Sequence, residues 1–245
     1  MDFFSTWLRG WLAPPACLAC DTLVRENRFL CKSCETAIEE MGQNHCLCCA
    51  EPFSSSSLSP HLCSKCLKKP PAFRKVWASL IYQGPTMDLL HGVKFGKNPR
   101  GLKVLISRAL PAFSRACREF APEEILPVPL SPWRRFGRGF NQSFLLAHYL
   151  LKAQGPKKSE KIPLRRWVRR SHTRAQSRQG REERMKSLNS AFSVPSPARV
   201  RGKRILIVDD VLTTGATAEA LSVCLLKAGA KEVGVYVLAR TPKGD

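Results

Sequence analysis

Residues 205–230 read ILIVDDVLTTGATAEALSVCLLKAGA, and their order decides how the chain is interpreted. Ile205 to Val208 form a short aliphatic run after Gly202-Lys203-Arg204, the composition of a buried parallel strand. The run leads into two adjacent carboxylates, Asp209 and Asp210, at the strand's carboxyl end. Ligands of open α/β sheets collect beyond that end. Paired carboxylates there can accept hydrogen bonds from two vicinal hydroxyls and can orient waters around Mg²⁺. Val211 to Ala216 then form a turn in which Gly215 permits close backbone approach, and a helix is expected to begin near Thr217. The free N–H groups and dipole of such a helix start make a phosphate cradle. Thr213, Thr214 and Thr217 add hydroxyl donors. The implied ligand carries a diol and a terminal phosphate, as ribose 5-phosphate does.

Outward from this stretch, strand and helix patterns alternate. Strands are expected at VWASLIY (76–82), EILPVPL (124–130), RRWVRR (165–170) and EVGVYVLAR (232–240). Helices are expected at TMDLLHGVKF (86–95), at GLKVLISRALPAF (101–113) with a check at Pro111, at GFNQSFLLAHYLLKA (139–153) and at REERMKSLNSAF (181–192). Phe140, Phe144, Ala147 and Leu151 share one helical face in the third of these. The alternation predicts βαβ units and a mostly parallel sheet flanked by helices. KKPPAF, around Pro70 and Pro71, reads as a linker and divides the chain into residues 1–70 and 71–245.

The first segment is a cysteine module. Nine of the 11 cysteines lie between Cys17 and Cys66, and eight form Cys-x-x-Cys pairs: Cys17/Cys20, Cys31/Cys34, Cys46/Cys49 and Cys63/Cys66. Such a pair makes a knuckle presenting two sulfurs to one metal, and two knuckles complete a tetrahedral structural zinc site. Two zinc ions are therefore expected, with neighbouring knuckles paired or, alternatively, interleaved. So few large aliphatics would leave the metal to supply the folding energy. Cys48 is a spare thiol. His45 and His61 are ligands only in place of a cysteine, and Cys117 and Cys224 read as core residues of helices.

Charge narrows the partners. Forty Lys and Arg face 19 Asp and Glu, a net charge of +21, which favours polyanions such as nucleic acid, phosphorylated metabolites or anionic membrane. Between Ser131 and Arg204 stand 20 basic and three acidic residues, several beside aromatics as in WRRFGRGF and RRWVRR. Arginines so placed can contact phosphates and stack bases, which points to single-stranded DNA. No apolar run approaches the ~20 residues of a membrane span. The start lacks a secretory pattern, so a cytoplasmic location is expected. Phe3, Trp7 and Trp11, with Phe4, Leu8 and Leu12, form an apolar stripe suited to packing on the rest of the protein.

The order of aliphatic strand, Asp-Asp, three residues, Thr-Gly-x-Thr resembles the signature of type I phosphoribosyltransferases. The resemblance implies that Asp209 and Asp210 hold ribose hydroxyls of phosphoribosyl pyrophosphate and act in catalysis. It implies that Thr213, Thr214, Gly215, Ala216 and Thr217 hold the 5-phosphate. Three further segments, LLHGVKFGKNPRGLKVL, ILPVPLSPWRRFGRGFNQSFLLA and TRAQSRQGREERMKSLNSAF, resemble the ComF/ComFC family with its zinc-binding N-terminus. That family implies a phosphoribosyltransferase-like fold behind a small zinc-ribbon domain, and a link to natural transformation, with incoming single-stranded DNA and competence-machinery proteins as partners. It places a pyrophosphate loop near Pro129 to Ser131 beside Arg134, Arg135 and Arg138, and a closing loop at residues 171–184. Two roles are open: a transferase using Mg²⁺ and phosphoribosyl pyrophosphate, or a DNA-binding accessory protein whose phosphoribosyl site is a sensor or relic.

Overall fold

The computed structural model describes residues 15–25, 28–53, 61–95, 99–130, 139–155, 162–166, 168–170 and 191–242. The expected N-terminal stripe, Arg134, Arg135, Arg138 and the 171–184 loop lie outside these residues. Two short helices, α1 (Lys32–Thr36) and α2 (Ser64–Lys68), belong to the cysteine module. Then follow β1 (Val76–Ile81), α3 (Gly84–Phe95), α4 (Arg100–Phe120), β2 (Glu124–Pro127), α5 (Gln142–Ala153), β3 (Arg169–Arg170), β4 (Phe192–Ser193), β5 (Arg204–Leu212), α6 (Ala216–Lys227) and β6 (Glu232–Arg240). The main sheet is all parallel, in the order β1-β6-β5-β2. β3 and β4 form a separate antiparallel pair.

The sheet is covered on both faces, as aliphatic-rich parallel strands require. One core joins Trp77, Leu206, Val208, Tyr236 and Leu238 of the strands to α3, α4 and α5. The other joins Val76, Ile205, Ile207, Val235 and Val237 to Ala218, Leu221 and Leu225 of α6. The cysteine module seals the β1 edge: Met41 N–H donates to the Ser79 carbonyl (2.8 Å), and Ile81 N–H donates to that of Glu39 (3.0 Å). Its first part contributes Cys17, Leu30 and Ile38 to one core, and its second contributes Ala50 to the other. Arg108 of α4 adds a hydrogen bond to the Glu35 carbonyl, 2.8 Å.

Several elements differ from expectation. α4 runs straight through Pro111, because Leu102, Leu105, Ala109, Phe113, Ala116 and Phe120 are all buried along one stripe. Burying those side chains outweighs the ~3 kcal/mol that a mid-helix proline costs. Gly101 is the close point between α3 and α4, where a Cβ would lie 2.9 Å from the Leu89 carbonyl oxygen. Of RRWVRR, Arg169–Arg170 form β3; residues 181–190 of the expected helix lie outside the described residues, and Phe192, expected to end it, begins β4 instead, paired with Arg170. Phe140 precedes α5, which opens at Asn141. The largest difference concerns β5, which does not stop at Val208. β2 accompanies it only to the Pro127–Val208 pair, whereas β6 pairs with it as far as Leu212 and Arg240.

Candidate functional site

That overhang makes the site. Beyond Val208 one side of β5 is open, and α5 fills the space. Asn141 caps α5 by accepting a hydrogen bond from Phe144 N–H (3.3 Å), and its amide donates to the Val128 carbonyl, 3.0 Å. The anchored first turn brings Ser143 Oγ to donate to Asp209 Oδ1, 2.8 Å. Asp209 Oδ1 also accepts from Asp210 N–H at 3.0 Å. Asp210 turns to other partners: Oδ1 accepts from Val211 N–H (2.9 Å), and Oδ2 pairs with Lys94 Nζ of α3 at 3.0 Å. Lys94 also lies over the Tyr82 ring, 5.8 Å from its centroid.

Two carboxylates this close do not both ionise freely. Burial, reinforced by the Asp210 charge, pushes Asp209 up to about 7, against the opposing hydrogen bond from Ser143. The site thus holds an acidic pair whose first member favours a proton until something supplies donors or positive charge.

The turn after the pair has its backbone sorted by polarity. The Leu212 carbonyl accepts from Thr241 N–H (3.0 Å) and Arg240 Nη1 (2.9 Å). The Thr213 carbonyl accepts from Arg240 Nη1 (2.6 Å), that of Thr214 from Lys65 Nζ (3.1 Å), and that of Gly215 from Glu219 N–H (2.9 Å). Ala216 N–H donates to Thr214 Oγ1, 3.3 Å. The N–H groups of Thr213, Thr214, Gly215 and Thr217 find no acceptor among the described residues. Gly215 sits at φ +81°, in the left-handed region, as the N-cap of α6. Four carbonyls held back and a run of amides left free describe an anion cradle. Thr213 and Thr214 are exposed. α6 starts at Ala216, one residue before its expected start.

The structure brings Asp209, Asp210 and residues 213–217 into one site. Lys94, Ser143, Arg240, Lys65 and Glu51 were not singled out in the sequence. Ser143 follows directly on the Arg-Gly-Phe-Asn-Gln motif, and Arg240 is an arginine ending an apolar strand, two signals that were available.

The cysteines form two clusters, Cys17/Cys20/Cys31/Cys34 and Cys46/Cys49/Cys63/Cys66, each with its sulfurs within 4.8 Å of one another. Neighbouring knuckles are therefore paired. A tetrahedral Zn–S₄ centre with bonds of about 2.3 Å places sulfurs about 3.8 Å apart. Cys20–Cys31 and Cys49–Cys63 are 3.7 Å apart. Without a cation, burial pushes the Cys49 thiol up to about 12. At Cys46 burial is outweighed by backbone N–H groups of Cys49 and Cys63, which bring the thiol down to about 7. A divalent ion is what lets all four sulfurs serve as thiolates, so the donor set fits structural zinc. Cys48, His45 and His61 stand outside both clusters. Cys117 and Cys224, on α4 and α6, are part-buried rather than fully buried.

A double zinc ribbon domain matches residues 8–69 and a phosphoribosyl transferase domain matches residues 161–245. DNA utilization protein YhgH of Escherichia coli K12 is 32% identical, with 92% of this chain and 90% of that protein covered. Competence protein F of Haemophilus influenzae is 32% identical over 86% of this chain and 90% of its own length. Competence protein ComFC of Streptococcus pneumoniae is 27% identical over 89% and 90%. Among solved structures, a purine phosphoribosyltransferase from Pyrococcus horikoshii aligns with a TM-score of 0.34 and 22% identity, covering 58% of this chain and 90% of that one.

The raised Asp209 carries a stability prediction. Its folded-state value lies above the ordinary 3.8, so the fold favours the protonated form. The cost of ionisation sets in above the unfolded value and is complete once the pH passes about 7. Asp209→Asn should therefore stabilise the ligand-free protein at pH 8, by on the order of 2–4 kcal/mol. The gain should shrink as the pH is lowered toward 5. Differential scanning calorimetry across that range checks it; a loss of stability at pH 8, or a gain independent of pH, would contradict the assignment.

Proposed function

The chain belongs to the ComF/ComFC family, and from that premise we propose that it binds phosphoribosyl pyrophosphate with Mg²⁺ in the service of DNA uptake. The observation that carries this reading is the juxtaposition of the acidic pair with the amide-lined turn. A diol and a phosphate five bonds away are what such a pair of subsites would hold together. Asp209 and Asp210 would accept hydrogen bonds from the ribose hydroxyls. The free N–H groups of Thr213, Thr214, Gly215 and Thr217, with the threonine hydroxyls, would take the 5-phosphate.

Mg²⁺ would be held through the acidic pair and the ligand's oxygens, and would supply charge neutralisation for a departing pyrophosphate. Lys94 then has a defined part. In the ligand-free protein it neutralises Asp210; with the ligand present its ammonium is within the same neighbourhood to balance phosphate charge instead. Transfer would proceed by departure of pyrophosphate from the anomeric carbon as an acceptor attacks. The family resemblance assigns the pyrophosphate to the segment near Pro129–Ser131 and to Arg134 and Arg135, which lie outside the described residues. The names of the relatives, a DNA utilization protein and two competence proteins, support the uptake setting. Reduced zinc thiolates suit a cytoplasmic location. No described helix is long and apolar enough to cross a membrane.

A second reading has its own observation. A cavity of about 310 Å³ is lined by Arg166, Arg169, Pro195, Ser196 and Arg199. Arg166 lies over the Phe144 ring, 4.4 Å from its centroid. Arg165, by contrast, pairs with Glu124 at 3.7 Å, and Lys203 pairs with the same carboxylate at 2.7 Å. Arginines turned into a groove without acids suit the sugar-phosphate backbone of a single strand. In this reading the groove binds DNA whether or not the phosphoribosyl site turns over.

Titration calorimetry separates the readings. Phosphoribosyl pyrophosphate with Mg²⁺ should bind the wild type, and Asp209→Ala with Asp210→Ala should weaken it about a hundredfold or more, since two charged hydrogen-bond acceptors are lost. Equal affinity in both proteins, or no binding in either, overturns the ligand reading. For the groove, replacing Arg166, Arg169 and Arg199 by Gln should flatten the salt dependence of oligonucleotide binding, by about 0.7 in log–log slope per lost phosphate contact. An unchanged slope removes the groove from the DNA path.

A further inference from the structure

We infer that the second zinc ribbon is a working part of the phosphate turn, with Arg240 and Lys65 as positioning residues. This rests on the reading of residues 213–217 as the phosphate subsite. It adds the statement that zinc held by Cys46, Cys49, Cys63 and Cys66 sets that subsite's shape.

Each knuckle of this zinc site reaches the turn separately. From the first knuckle, the Cys49 carbonyl accepts from Arg240 Nε at 3.3 Å, and the Glu51 carboxylate pairs with Arg240 Nη2. From the second knuckle, Lys65, placed between Cys63 and Cys66 on α2, donates to the Thr214 carbonyl at 3.1 Å. Arg240 then passes the constraint on: its Nη1 binds the carbonyls of Leu212, Thr213 and Thr241 at 2.9, 2.6 and 2.8 Å. Three consecutive carbonyls, 212 to 214, are thus fixed from the zinc ribbon's side. Because a peptide's carbonyl and N–H point in opposite directions, pulling these carbonyls one way holds the intervening amides toward the ligand.

The pairing of Glu51 with Arg240 is buried on both sides, 6% exposed in each side chain. Desolvating two charges makes such a pair a poor source of net stability compared with apolar packing. Its geometry has another use. All of the guanidinium's donor nitrogens have acceptors; besides the adjacent Thr241, these lie on two modules far apart in sequence, Cys49 and Glu51 in one, Leu212 and Thr213 in the other. Zinc joins the two knuckles through four thiolates, so a single ion closes both arms of the clamp. The first zinc site has no comparable link: among the described residues, its contacts run to α4 through Arg108 and to the core around Cys17. The two zinc sites therefore differ in role: among the described residues, the second alone couples to the turn.

Hydrogen–deuterium exchange on the full zinc-loaded chain tests this without any ligand. Lys65→Gln and Glu51→Gln should each speed exchange about tenfold at the amides that are bonded to the turn, those of Ala216, Glu219 and Thr241, while the buried 205–208 segment keeps its wild-type protection. Lys68→Gln, on the same short helix, should change neither. Cys49→Ser, which breaks the second zinc site, should loosen the turn, and Cys20→Ser, which breaks the first, should not. Zinc content measured on each variant confirms which site was lost. Wild-type exchange in the turn of Lys65→Gln and Glu51→Gln overturns the inference, as does equal loosening by Cys20→Ser and Cys49→Ser. Failure of phosphoribosyl pyrophosphate to bind would sink the proposed ligand and leave this exchange pattern standing. If the ligand does bind, its affinity should fall about tenfold in Lys65→Gln, with two zinc ions retained per chain.

Discussion

The structure depends on one mismatch of lengths: β5 continues past the end of β2. β2 is a four-residue strand that ends at Pro127, with Pro129 two residues on, and a proline cannot donate to a ladder. β5 keeps β6 on its other side and so stays extended through Asp209 and Asp210. Acidic residues can occupy a strand that is otherwise fully buried only because one of its sides opens there. The same opening admits α5, whose capped first turn supplies Ser143. Had β2 run the full length of β5, the two carboxylates would sit inside a closed sheet and would have to be neutral or paired. The raised Asp209 records how far the ligand-free protein already leans toward neutrality.

Around this opening the molecule places fixed positive charge on short leashes. Lys94 comes from the helix after β1, Lys65 from the zinc ribbon and Arg240 from the end of β6. Each is held by a protein partner, so none must be ordered when an anion arrives, and the entropy of fixing long side chains has already been spent in folding. Of the zinc ribbons, the second makes the contacts that hold two of these groups, Lys65 and Arg240. The ribbons also close the β1 edge, which would otherwise expose unpaired strand groups.

Much of this was legible in the sequence, for identifiable reasons. The alternation of apolar runs gave the parallel sheet, since parallel strands buried on both faces leave few options for composition. The cysteine spacing gave the two clusters and left only their pairing open, because pairing is a distance between knuckles and not a property of either one. The Asp-Asp-Thr-Gly order located the candidate site, because its acidic pair and its amide-lined turn are contiguous in the chain. What the sequence hid was long-range. Pro111 looked like a helix break because its cost is local while the burial that outweighs it comes from β1, β6 and the neighbouring helices α3 and α5. β5 looked short because charge usually ends a buried strand, and only its neighbours' lengths show otherwise. Arg240 and Glu51 are 189 positions apart, and nothing in either local pattern announces the other. The segments carrying Arg134, Arg135 and the 171–184 loop lie outside the described residues, so their expected parts in the site rest on the family resemblance alone.

The central claim is that the acidic pair and the amide-lined turn hold the two ends of one ligand. A crystal structure of the full zinc-loaded chain grown with Mg²⁺ and phosphoribosyl pyrophosphate tests it most directly. The account predicts the 5-phosphate on the amides of residues 213–217, the ribose hydroxyls on Asp209 and Asp210, and Lys94 turned toward the ligand's phosphates. A ligand bound elsewhere, or an acidic pair still closed on Lys94 and Ser143 at saturating ligand, would contradict it.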